Sequence, residues 1–223
     1  MSTEAKTAST AQPPGLSSAK QALLAKWLRS GSSNSNSGGE KAIPRRKGDS
    51  PVPLSLEQQR LWFFNQLEPE SPLYNMPIAS RLRGALDPQA LQQAMDTVVA
   101  RHEALRTRFL GQEPAQTVDP PSTVLMLFFD VRNFPAAQRE AEARRLLEVE
   151  AKRPFDLSRD LMVRSALVRL GEQDWIFLVL MHHIASDDWS WRVFCNEVAT
   201  VYNAIVANRN VELPESAIQY GDF

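Results

Sequence analysis

Residues 175–190 (WIFLVLMHHIASDDWS) restrict the fold more than any other stretch of the chain. They open with an uncharged apolar run, 175–181, that is rich in β-forming residues. Two histidines and two aspartates follow, and the chain then continues with apolar residues at helical spacing, namely Trp191, Phe194, Val198, Val201, Tyr202 and Ile205. This pattern predicts a buried strand, a short loop and a helix, with the polar side chains gathered at the end of the strand.

The two histidines are expected to have different environments. Neighbouring side chains of a strand point to opposite faces, so His182 and His183 cannot both serve one site, and only one is expected to reach a cleft. Asp187 can turn back to orient an imidazole or pair with a base elsewhere, and a neutral imidazole of fixed tautomer can relay a proton near pH 7. The alternative is a core histidine with a satisfied ring nitrogen, followed by an aspartate that caps the next helix.

The composition is that of an ordinary globular protein. A chain of 223 residues with 43% apolar content can build one good-sized domain or two small ones, and a net charge of −1 provides no overall field for nucleic acid or an anionic membrane. No signal pattern opens the chain, and no apolar run approaches the roughly 20 residues of a membrane span. The single cysteine, Cys195, excludes an intramolecular disulfide, favours a packing role and fits a reducing, cytoplasmic setting.

The first part of the chain differs from the rest. Residues 1–50 are polar and predict a flexible arm, interrupted at 16–29 by a short amphipathic helix. This helix either packs on its own domain or docks an upstream protein in a groove. Residues 51–223 have the pattern of a globular lobe.

Helices and strands are predicted to be mixed throughout this lobe. Helices are predicted to begin at Ser55, Asp87, Pro135 and Trp189, and strands to cover 76–84, 105–110, 123–131, 161–170 and 175–183. The first helix is expected to carry Leu61, Trp62, Phe64 and Leu67. The expected inward-facing residues of the next two helices are Leu91, Met95, Val98, Val99, Leu146, Leu147 and Val149. We therefore predict an α/β sandwich.

Four stretches, in this order along the chain, resemble motifs of the condensation domains of nonribosomal peptide synthetases. Residues 181–190 resemble the His-His-x3-Asp-Gly core, and 55–62 (SLEQQRLW) resemble the first motif. Residues 101–109 (RHEALRTRF) match the second motif at every defining position, and 220–223 (YGDF) look like the opening of the fourth. Together they extend over about residues 50–223.

The resemblance implies a chloramphenicol-acetyltransferase-like sandwich lobe with a mixed β-sheet and flanking helices. Two such lobes form a V, and the amine of one carrier-bound thioester attacks the carbonyl of another to make an amide. His183 would be the catalytic residue, either as a base or as a positioning group, and Arg101 would pair with Asp187. Motif and structural support would come from His182, Asp187, Asp188, Arg101, Arg106, Trp189 and Ser190.

The resemblance also implies the partners. No metal and no directly bound cofactor are expected, because 4′-phosphopantetheine is carried by partner carrier proteins. We expect an upstream donor carrier protein that acts in trans, a downstream acceptor carrier protein and an adenylation domain, with no nucleic acid or membrane.

Two departures from the family pattern affect the expected activity. Asp188 stands where the motif has glycine, which would add bulk and charge beside His183 and strain a left-handed backbone. The sequence also stops inside the fourth motif, so we expect a truncated lobe that is weakly active or inactive alone. The alternatives are a non-catalytic carrier-binding lobe and a stand-alone His-x3-Asp acyltransferase that uses acyl-coenzyme A.

Overall fold

The computed structural model describes residues 43–46, 52–111 and 115–222. The helices are α1 (Leu56–Leu67), α2 (Pro88–Arg101), α3 (Ala136–Lys152) and α4 (Asp188–Val206). The strands are β1 (Val52–Pro53), β2 (Asn75–Arg83), β3 (Thr107–Leu110), β4 (Ala115–Val118), β5 (Met126–Asp130), β6 (Val163–Gly171) and β7 (Asp174–His182). Two 3₁₀ helices cover Glu103–Arg106 and Tyr220–Asp222. The predicted helix at 16–29 lies outside the described residues, so it and the domain boundary near residue 50 remain predictions.

A four-stranded mixed sheet of order β2-β7-β6-β5 forms the centre of the lobe. Strand β7 runs antiparallel to both β2 and β6, whereas β5 is parallel to β6. Because β7 lies between two strands and is buried over most of its length, it needs apolar side chains on both faces. This explains the uncharged run that the sequence shows there, and the predicted α/β sandwich is confirmed.

Alternation along β7 divides its side chains between two layers. The odd-numbered residues from Trp175 to Met181 join one buried cluster with apolar side chains of α2 and α4. The even-numbered residues, which include Leu178, Leu180 and His182, belong to the opposite face. Helix α3 contacts β2, β6 and β7, and its buried residues lie outside that cluster, so it covers this second face.

A small three-stranded sheet, β1-β4-β3, was only partly predicted. Strand β3 agrees with the strand expected over 105–110, although residues 103–106 first form a 3₁₀ turn. Strands β1 and β4 were missed because they are short and carry little apolar patterning.

One inward-facing assignment is wrong, and one apolar residue of α1 lies outside the core. In α1, Phe64 is 42% exposed, whereas the neighbouring Phe63 is 5% exposed. In α3, Ala143 and Leu147 are buried, whereas Val149 is 58% exposed. None of the four described helices combines the length and apolar character that a membrane span requires.

Candidate active site

The His183 ring is held by the loop that follows β7. The His183 backbone N–H donates to the Tyr74 carbonyl at 3.0 Å, and the ring Nδ1 lies 2.8 Å from the Ser186 carbonyl oxygen. A carbonyl oxygen can only accept a hydrogen bond, so Nδ1 carries the proton and the neutral ring keeps its lone pair on Nε2. The backbone of the loop therefore fixes the tautomer that can accept a proton at Nε2.

The exposed His183 ring faces a cleft of about 470 Å³. The cleft lies between the start of α1, the loop after β7 and the end of the chain. It is lined by polar and apolar side chains, which are Glu57, Gln58, Arg60, Leu61, Tyr74, His183, Ile184, Ala185, Ser186, Asp187, Ser190 and Tyr220. A substrate in this cleft could therefore reach the imidazole directly.

His182 has the opposite environment, as the alternation predicted. It is 3% exposed, and its Nδ1 accepts a hydrogen bond from the Ile184 N–H at 3.1 Å. Its ring lies 5.7 Å from the Phe155 ring and 6.3 Å from the Tyr74 ring, measured between centroids. Burial, together with the neighbouring His183 and Arg164, lowers the pKa of His182 to about 4. This histidine is therefore a neutral core residue at pH 7.

Asp187 caps helix α4 and does not contact the imidazole nitrogens. Its Oδ1 accepts hydrogen bonds from the Ser190 backbone N–H at 2.8 Å and from the Ser190 hydroxyl at 2.6 Å. Ser190 Oγ accepts from the Asp187 backbone N–H at 3.3 Å, which completes a capping box. These bonds lower the pKa of Asp187. The box fixes the backbone one residue beyond Ser186, the hydrogen-bond partner of His183.

The expected ion pair between Arg101 and Asp187 is not formed. The Arg101 guanidinium lies 3.2 Å from Glu197 Oε1 and also donates to the Pro214 carbonyl. His102 Nε2 lies 2.6 Å from the other Glu197 oxygen. Arg101 ends α2, and α2 packs against α4, so the guanidinium meets the middle of α4 rather than its N-terminus. Arg101 thus joins two helices and is not part of the His183 loop.

Arg106 also lies away from the loop. It sits on the first 3₁₀ helix, donates to the Asp119 carbonyl and lies 3.9 Å from Glu103. These contacts tie the 3₁₀ turn to the end of the small sheet. The expected architectural role of Arg106 therefore concerns that sheet.

Asp188 does not cause the strain that the sequence suggested. It is the first residue of α4, and Asn208 is the only non-glycine residue with positive φ in the described ranges. Its side chain is absent from the lining of the cleft, and an acidic residue in the first helical turn complements the helix dipole. The expectation of a left-handed backbone at this position was wrong. The next residue, Trp189, is 73% exposed.

Two residues that contribute to the site were not singled out from the sequence. Gln58 is 3% exposed, and its Nε2 lies 3.5 Å from the Ile184 carbonyl and 3.3 Å from Gln116 Oε1. The Tyr220 hydroxyl lies 3.0 Å from Ser55 Oγ. Gln58 and Tyr220 belong to the first and fourth motifs, so motif membership was the available signal. No group of three or more His, Cys, Asp or Glu side chains in the described ranges is arranged to hold a metal ion.

The comparisons with known proteins agree on one family. Residues 49–223 match the family model described as "Condensation domain". The chain is 41% identical over 183 residues to one of the linear gramicidin synthase proteins of Brevibacillus parabrevis, and the match covers 81% of this chain and 2% of that protein.

Solved structures agree with this result. The X-domain from teicoplanin biosynthesis shares 33% identity with a TM-score of 0.71, covering 82% of this chain and 39% of that one. The first condensation domain of the calcium-dependent antibiotic synthetase, solved with a substrate analogue, shares 28% identity with a TM-score of 0.67, covering 74% and 40%. The chain thus spans well under half of either solved domain.

Proposed function

Because this chain belongs to the condensation-domain family of nonribosomal peptide synthetases, we propose that it supplies the N-terminal lobe of a domain that forms amide bonds. The substrates are an aminoacyl or acyl thioester on a donor carrier protein and an aminoacyl thioester on an acceptor carrier protein. The single observation that carries this proposal is the His183 ring, whose Nδ1 is bonded to the Ser186 carbonyl and whose Nε2 is left for the cleft.

The chemistry follows from that tautomer. The acceptor amine attacks the donor carbonyl carbon, the carbon–nitrogen bond forms, the carbon–sulfur bond breaks and the donor thiolate leaves. The amine loses one proton, which Nε2 of His183 accepts and passes to the thiolate. The same geometry also suits a positioning role, in which Nε2 accepts a hydrogen bond from the amine and holds the amine in line with the donor carbonyl carbon. Proton transfer of this kind contributes about 10²- to 10⁴-fold to the rate.

The proposed partners are an upstream donor carrier protein acting in trans, a downstream acceptor carrier protein and an adenylation domain. Their 4′-phosphopantetheine arms bring the thioesters to the cleft as parts of the substrates. The similarity to a linear gramicidin synthase protein supports carrier-protein partners. The cytoplasmic setting belongs to the same proposal and is supported by the single cysteine, which leaves no disulfide to form within the chain.

The test is a single-turnover assay with donor and acceptor carrier proteins that bear aminoacyl thioesters. The amide on the acceptor carrier is measured by mass spectrometry for a complete two-lobe domain that contains this lobe. The lobe is compared as wild type, as His183→Ala and as Cys195→Ser, the matched control. We expect His183→Ala to lose product by about 10²- to 10⁴-fold and Cys195→Ser to retain it.

Two outcomes would contradict the proposal and favour the alternatives. If carrier proteins bind but product does not depend on His183, the lobe is a binding platform. If acyl-coenzyme A donors replace carrier-bound donors at equal rate, the chain is an acyltransferase of another kind.

A further inference from the structure

A second cavity, which we call the side pocket, lies next to the His183 cleft. It has a volume of about 280 Å³ and is enclosed by the start of α4, the first 3₁₀ helix and the segment 216–220. Ala185, Ser190 and Tyr220 line both the cleft and the side pocket. The two cavities therefore share one wall, and a molecule whose reacting group lies at His183 has the side pocket beside it.

The side pocket has a buried floor. Leu105, Met181 and Phe194 contribute to it, and they are 5%, 1% and 3% exposed. These side chains belong to the main buried cluster of the lobe, so the floor is part of the core. A floor of this kind keeps its shape, which is the condition for a pocket that selects its ligand by size.

The rim of the side pocket consists of exposed large apolar side chains. Trp189 is 73% exposed, Tyr220 48% and Ile218 40%, and all three line the pocket. Three such residues around one concave surface form an exposed apolar patch of the kind that marks a binding site. None of the three is part of the buried cluster, so packing of the core does not account for their position, although the Tyr220 hydroxyl also meets Ser55.

The lining contains no Lys, Arg, Asp or Glu side chain. Besides Tyr220, the only ionisable side chain of the lining is His102, whose Nε2 already lies 2.6 Å from Glu197 Oε2. A charged group placed in the side pocket would lose its hydration without gaining a partner, which is costly. The pocket therefore favours an apolar occupant.

The volume restricts the occupant further. Pockets that hold whole small-molecule ligands usually measure about 300–1,000 Å³, so the side pocket is suited to one side chain. We propose that it receives a large apolar side chain, aromatic or branched aliphatic, of the aminoacyl thioester that reacts at His183. This inference rests on the proposed function and adds the substrate class to it.

The experiment measures binding of three aminoacyl-pantetheine analogues, in which an amide replaces the thioester, to the 223-residue chain by calorimetry. The analogues carry N-acetyl phenylalanine, alanine or glutamate. We expect the phenylalanine analogue to bind at least about 10-fold more tightly than the alanine analogue, since even one methylene in an apolar pocket discriminates by about 10-fold or more. The glutamate analogue is expected to bind most weakly.

Two variants place this preference in the side pocket. Val193 lines it and is half-buried, so Val193→Trp fills the space and is expected to bring the phenylalanine analogue to the affinity of the alanine analogue. Val206, near the other end of α4 and 57% exposed, provides Val206→Trp as the matched control that keeps the preference. Ile218→Glu changes only a rim residue that is 40% exposed, and it tests the same point if Val193→Trp fails to fold.

Three results would overturn the proposal. The first is equal binding of the three analogues, and the second is a preference that survives in both Val193→Trp and Ile218→Glu. The third is that pantetheine alone no longer binds to those variants, which would show that the pocket holds the pantetheine arm instead of the side chain. Because the assay measures binding only, its failure leaves amide formation unaffected. Conversely, amide formation that does not depend on His183 would remove the proposed function and leave a measured side-chain preference intact.

Discussion

Two identical side chains at adjacent positions have different chemistry here because the strand places them on opposite faces. His182 joins the core between aromatic rings, and His183 is held in a cleft by the Ser186 carbonyl. The sequence predicted this division from the alternation of a strand alone. The partner of Arg101 could not be predicted in the same way, because Glu197 is distant in sequence and meets Arg101 only through helix packing.

At this scale, the buried His182 makes stability depend on pH. Its pKa is about 4 in the folded chain against 6.5 for the ordinary value, so between these values the unfolded chain binds the additional proton. The contribution is complete above pH 6.5 and is lost as the pH falls towards 4, by roughly 3 kcal/mol over the full window. Urea unfolding at pH 7 and pH 4.5 measures it.

We expect His182→Gln to remove most of this difference between the two pH values. Val206→Ala, which changes an exposed residue at the end of α4, serves as the control and should keep the wild-type dependence. An unchanged dependence in His182→Gln would show that other groups cause it.

Asp188→Gly tests whether the aspartate in the motif impairs the site. Because Asp188 has a helical backbone and does not line the cleft, we expect no gain in amide formation. Loss of a negative charge from the first turn should instead lower the free energy of unfolding by about 0.3–1 kcal/mol. A clear rise in product formation would show that the Asp188 side chain does impair the cleft.

At the scale of the element, the beginning of α4 connects folding to the site. The capping box between Asp187 and Ser190 ends the loop whose Ser186 carbonyl orients His183. An aspartate that caps the helix was one of the two alternatives open from the sequence. The box on α1, between Ser55 and Gln58, uses the Ser-x-x-Gln spacing of a local motif, and it lies where a helix was predicted to begin.

Asp187→Ala should lower the free energy of unfolding by about 1 kcal/mol, since it removes the acceptor of the cap. Asp187→Asn keeps an acceptor oxygen and is expected to retain most of the stability. Thermal unfolding of both variants at neutral pH makes the comparison. Equal losses in the two variants would show that the charge, rather than the cap, is what stabilises the helix.

At the scale of the whole lobe, the four motifs converge on one region. The Ser55 and Tyr220 hydroxyls meet, and Arg46 binds Glu103 and Asp222, so the beginning and end of the lobe meet beside the cleft. The strands of the main sheet were predicted from apolar patterns in the sequence, and its mixed character was implied by the family resemblance. The small sheet did not, because β1 and β4 are defined by pairing with strands far along the chain rather than by local pattern.

The role of His183 is tested by nitrogen-15 NMR of its ring in the folded chain above pH 7, which shows which ring nitrogen carries the proton. The structure predicts that Nδ1 carries the proton and Nε2 does not, and that the Nε2 resonance shifts when a pantetheine-linked amine enters the cleft. A proton on Nε2 in the neutral ring, or a resonance that does not respond to the amine, would show that His183 does not receive the amine's proton or hydrogen bond.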